Sequence, residues 1–132
     1  MTGDRRELSD LKAHEHAMEI PIAQVVQELV DLLGAPTVAV LGGVQETRAV
    51  QQWMHDRMPQ NPHILRFALQ LALMVASGGD KLMAQAWFNG SNPHLGDRAP
   101  IFLFREGELE EIQTPLLTAA RSFAARERPG SA

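Results

Sequence analysis

From Pro21 onward, apolar side chains recur at helical spacing. Ile22, Val25, Val26, Leu29, Leu32 and Leu33 share one face, while Gln24, Gln27, Glu28 and Asp31 share the other. Pro21 suits a first helical position and Gly34 a stop, so this spacing predicts a helix between them. Pro36 opens a second, short helix through Leu41, and the Gly42-Gly43 pair ends it. A third segment, Gln45 to about Asp56, turns Ala49, Val50, Trp53 and Met54 inward and leaves Gln45, Thr47, Arg48, Gln51, Gln52 and His55 mostly outward. Helix, glycine turn, helix is the helix-turn-helix arrangement. A plain helical hairpin with a solvated polar face fits the same pattern equally well.

Met58 to Pro62 breaks the chain again, with Asn61 as the expected cap and Pro62 as the first helical residue. The helix that follows, Ile64 to Ala76, is apolar nearly all round and has to be covered on most sides. It is expected at the centre of the fold, between the helix-turn-helix and the C-terminal helices. Ser77-Gly78-Gly79 should end it and Asp80 should cap the next helix, on which Leu82, Met83, Ala86 and Trp87 recur at helical spacing. An Asn89-to-Ala99 loop, longer than a plain helix connection needs, leads to Pro100 and a short apolar helix stopped at Gly107. In the last segment Leu109, Ile112, Leu116, Ala119 or Ala120, and Phe123 line one face, with a break or kink expected near Thr114 because Pro115 lacks the donor. Residues 1–19 are polar and read as a mobile arm or frayed helix, and the last residues as a loose tail. No repeat and no strand-period run is visible, so the expected fold is all-α with one core.

Composition narrows the function. At 132 residues and 45% hydrophobic content the chain suffices for one substantial core and at most a small second lobe. The absence of cysteine removes disulfides and cysteine-based zinc or nucleophile chemistry, and accords with a reducing, cytoplasmic setting. The charged first twenty residues suggest neither a secretory signal nor an anchor, and the uncharged run Phe67 to Ser77 is far short of the ~20 residues that span a bilayer. A net charge of −4 argues against nucleic-acid binding by bulk positive charge. Arginine nevertheless outnumbers lysine ten to two, which suits bidentate contacts. Gln45, Arg48, Gln51 and Gln52 are of the types that pair with base edges, and Arg57 and Arg66 of the type that grips phosphates. Because Glu46 and Asp56 weaken the local field, affinity would have to come from dimerisation on paired half-sites.

An enzyme needs converging ionisable groups, and none stand out. His55, His63 and His94 lie on separate elements, and His14 with His16 lacks a third metal ligand. The glycine pairs lack the spacing and lysine of a phosphate loop. Glu106, Glu108, Glu110 and Glu111 suit the start of a helix, where the dipole favours negative charge. No catalytic residue, cofactor or metal is therefore expected.

Trp87, Asn92, Pro93, Leu95, Pro100 and Leu103, following Gly43-Val44, Thr47, Val50 and Trp53, resemble the two parts of the Xre/MbcA/ParS family of bacterial antitoxins. The resemblance covers roughly residues 20 to 125. It implies a compact helical bundle: a flexible arm 1–19, an Xre-like helix-turn-helix lobe 20–77, a helical toxin-binding lobe 78–127 and a tail 128–132. Members of the family neutralise an NAD-degrading toxin of the RES-domain class by direct binding and repress their own operon as DNA-binding oligomers. The resemblance thus implies a RES-domain toxin and operator DNA as partners, and a homodimer or a higher hetero-oligomer with the toxin. The DNA-facing residues would be Gln45, Thr47, Arg48, Gln51, Gln52 and Arg57. The toxin-facing ones would be Trp87, Asn92, Pro93, His94, Leu95, Asp97, Arg98 and Pro100. The other reading is a helix-turn-helix transcriptional regulator whose C-terminal half serves dimerisation, with no toxin partner.

Overall fold

The structure is a computed structural model that describes residues 2–76 and 79–127, with side chains from Asp10 to Arg126. Among these, the chain forms α1 (Thr2–Glu19), α2 (Ile22–Leu33), α3 (Ala35–Leu41), α4 (Thr47–Trp53), α5 (Pro62–Val75), α6 (Lys81–Asn89), a 3-10 turn (Pro93–Leu95), α7 (Pro100–Glu106) and α8 (Leu109–Glu127). The described residues contain no strand beyond a single isolated bridge between Asn92 and Arg98. The all-α architecture expected from the periodicity is therefore present. Ser77 and Gly78, the expected stop of α5, and the tail 128–132 lie outside the described residues.

α5 is the hub. Ile64, Leu65, Phe67, Ala68, Leu69, Leu71, Ala72, Met74 and Val75 are all buried. No single neighbour can cover an apolar surface that wraps most of a helix, and α1, α2, α8 and α6 all pack along it, with α3 touching one end. One contiguous core runs from Ala13 on α1 to Ala120 on α8. α4 packs on α2 and α3 instead.

The largest departure from the sequence reading is in the N-terminal segment, where Thr2–Glu19 form α1 and lie against α5 rather than hanging free. Their apolar signal is weak because the residues that face α5 are small: Ala13 and Ala17 are buried, and small side chains let two helices approach closely. Polar contacts do the rest. His14 Nδ1 donates to Gln70 Oε1 at 3.0 Å, and His16 Nε2 donates to the Glu28 carboxylate at 2.8 Å. Arg66 is not a phosphate-facing group. Its guanidinium donates to the carbonyls of Ala17 (2.9 Å) and Ile20 (2.7 Å), closing the carboxyl end of α1, whose last carbonyls have no helical partner.

Three local expectations are also revised. α8 runs unbroken through Pro115. Ile112 and Leu116 are buried on either side of that proline, with Ala119 and Ala120 beyond, so a break would unseat the face that packs on α5. The carbonyl that loses its donor is that of Glu111, on an exposed turn. Asn61 makes no side-chain cap bond, although Pro62 does open α5, whereas Asp80 does cap α6 by accepting from Met83 N at 3.2 Å. Leu82 does not join the inward face of α6: it is 72% exposed, and Ala84, Trp87 and Phe88 are the buried residues.

Candidate functional site

Two surfaces carry the residues of interest. The first is the connection between α6 and α7. Asn92 is buried and organises it: Oδ1 accepts from His94 N (2.9 Å), the carbonyl accepts from Leu95 N and Asp97 N (2.9 Å each), and N donates to Arg98 O (3.1 Å). Residues 92–98 thus close on themselves, as asparagine is suited to do. The closure requires two successive left-handed residues, Gly96 at φ 65° and Asp97 at φ 66°. Glycine takes this conformation freely and aspartate is among the few others that tolerate it, at a cost of about 1 kcal/mol. Leu95 plugs the underside of the turn, which packs on α8.

A row of aromatic rings ties α6 and α7, the helices on either side of the loop, to α5. Phe67 of α5 meets Phe104 of α7 with centroids 6.1 Å apart, Phe104 meets Phe88 of α6 at 6.1 Å, and Phe88 meets Trp87 edge-on at 5.0 Å. Such rings bury large areas and fix their mutual geometry. Trp87 Nε1 is buried without a hydrogen-bond partner among the described residues.

The eight residues picked out in this region therefore divide. Trp87, Asn92, Leu95 and Pro100 are interior, whereas Pro93, His94, Asp97 and Arg98 are exposed. Arg98 is not a free cation, because it forms an ion pair with Glu106 in the last turn of α7. No helical spacing links positions 98 and 106, so sequence offered no signal for this pair.

The second surface is α4. Thr47, Arg48 and Gln51 are exposed and share a face, with exposed Gln45 just before them, while Val50 and Trp53 are buried opposite. Gln52 and Arg57 belong to the flank: Arg57 donates to Gln52 Oε1 at 3.0 Å, beside a shallow cleft that also includes Val44, Trp53, Met58 and Gln60. Met58, 67% exposed, is the apolar residue there that pattern reasoning passed over. The helix ends earlier than its periodicity suggested because His55, Asp56 and Arg57 all direct their N–H groups to the Gln52 carbonyl.

The turn before α4 explains both of its glycines. A Cβ on Gly42 would come within 2.5 Å of the Trp53 ring, and Gly43 has φ 78°. One glycine lets Trp53 close over the turn and the other supplies the left-handed step. α3 then packs against both α4 and α7, so the two surfaces are joined through a single packed helix.

His14 and His16, the one histidine pair close in sequence, reach different partners on α5 and α2. No described helix is long and apolar enough to cross a membrane. No protein-family model matches the chain, and neither a curated protein nor a solved structure does.

Proposed function

We propose that the chain is an antitoxin: a non-catalytic protein that neutralises a RES-domain, NAD-degrading toxin by direct binding and represses its own operon through DNA. The observation that carries the reading is the self-closed loop 92–98. It is held by the buried Asn92 and Leu95, packs on α8, and presents His94, Asp97 and Arg98 outward. A surface whose backbone is already fixed loses little entropy on binding, and the left-handed Asp97 is the kind of local strain that folds keep where a shape is used. The motif resemblance supplies the toxin class. The loop supplies a rigid contact surface of suitable chemistry.

For the DNA arm, the exposed Thr47, Arg48 and Gln51 form a short polar ridge on α4, and the Gln52–Arg57 pair stands ready to contact backbone phosphates. With a net charge of −4, specificity has to rest on such directed contacts and on paired subunits.

Growth rescue tests the toxin arm. Cells expressing a RES-domain toxin should grow when the chain is co-expressed, and a His94→Ala, Arg98→Gln double variant should fail to rescue. Glu106→Gln, which removes only the ion pair, should rescue fully. Promoter gel shifts test the other arm: Arg48→Ala should weaken binding by ~1–3 kcal/mol if the guanidinium pairs with a base. Rescue by the double variant would assign toxin binding elsewhere. A DNA-binding chain without any rescue would leave a regulator whose C-terminal half only dimerises.

A further inference from the structure

A cleft of about 600 Å³ lies between α1, α5 and α8, lined by Asp10, Leu11, His14, Gln70, Gln113, Leu117 and Arg121, none of which belongs to either surface described above. Its composition inverts the usual order of burial. Gln70 is 6% exposed, one turn after Arg66 on the face of α5 that meets α1, while Leu11 at the rim is 51% exposed. A buried polar group and an exposed large apolar one are the two placements that call for an explanation. The anchoring of α1 accounts for half of Gln70: its Oε1 accepts from His14, its Nε2 makes no hydrogen bond to a described residue, and the residue lines the cleft. At the mouth, Arg121 Nε donates to Asp10 Oδ2 at 2.7 Å, and the terminal guanidinium nitrogens have no partner among the described residues.

We infer that this cleft binds a free α-amino acid with a polar aromatic side chain. Among the described residues the charged groups lining it are one aspartate and one arginine, a pair that suits a ligand neutral overall yet carrying both poles. Asp10 would take the ammonium and Arg121 the carboxylate, the latter through two parallel N–H···O bonds. The Asp10–Arg121 pair is half open to solvent on its arginine side, and exposed pairs hold weakly, so exchanging it for the two poles of a ligand costs little. Leu11 and Leu117 offer apolar walls for a flat ring. Gln70 Nε2, Gln113 and His14 supply hydrogen bonds at its edge, which is how small-molecule sites combine apolar lining with a few placed polar groups. The proposal stands apart from the antitoxin reading and does not depend on it.

The test is calorimetric titration of the full chain with L-tyrosine, L-tryptophan and L-histidine. N-acetyl-L-tyrosine lacks the ammonium and L-tyrosinamide lacks the carboxylate. At least one zwitterion should give saturable heat, and both modified forms should bind about tenfold or more weakly, the loss expected for one charge-assisted bond. Arg121→Gln should lose the preference for the free carboxylate, and Asp10→Asn the preference for the free ammonium. Gln70→Leu should abolish binding; because that site is buried, exposed Gln113→Leu serves as a second variant that leaves the core untouched and should also weaken binding. Absence of saturable heat from all three amino acids overturns the inference and leaves the cleft as the seam of α1. Binding of the acetyl and amide forms as tight as that of the free amino acid overturns it too, as does unchanged binding by both glutamine variants.

Discussion

Arg66 shows how a residue's type can point to the wrong task. An arginine beside a recognition-type helix reads as a phosphate contact, but its guanidinium is spent on the carbonyls of Ala17 and Ile20, forty-odd positions earlier in the chain. Nothing in the local sequence reports a bond of that span. Arg66→Met should therefore lower unfolding free energy by about 1.5–3 kcal/mol, the worth of hydrogen bonds to a charged donor, in a denaturant titration, and should leave DNA affinity unchanged. Gly42 was legible as a breaker, but the reason it must be glycine was not, since that depends on the Trp53 ring arriving from the next helix. Gly42→Ala should destabilise the fold by about 1–3 kcal/mol through overpacking, read as a lower midpoint of thermal unfolding, with weaker DNA binding because the turn holds α4. Arg98 was legible as exposed, and its tie to Glu106 was not.

At the scale of elements, periodicity identified every helix from α2 to α8, because each carries apolar residues at 3.6-residue spacing or is bounded by proline and glycine. It failed on α1 for a physical reason: alanines and histidines make the contacts there, and neither registers as an apolar stripe. It also overread Pro115. A proline inside a helix removes a bond but does not end the helix when buried residues on both sides hold the face in place. Pro115→Ala should accordingly raise unfolding free energy, by up to the ~3 kcal/mol that separates the two residues in a helix interior, without changing the helical signal in circular dichroism. A loss of stability would mean that the ring itself is packed in a way no other side chain reproduces.

At the scale of the molecule, α5 sets the geometry and the two candidate surfaces are carried around it, linked through α3 lying against both α4 and α7. The central helix was readable from its all-round apolar character. That the two sequence regions share one core was readable only from chain length, since no pattern shows which helices will touch. The loop 92–98 was visible as a dense cluster of turn residues; its closure around Asn92 and its left-handed pair emerged only in three dimensions. The account's central claim is that this closed loop is the toxin-binding surface, and the direct measurement is a calorimetric titration of the full chain with a purified RES-domain toxin. The account predicts a saturable complex that is weakened at least about tenfold by His94→Ala together with Arg98→Gln, as loss of an interface anchor requires, and is unchanged by Arg48→Ala on α4. A complex equally tight with the loop altered, or no complex at all, would contradict it.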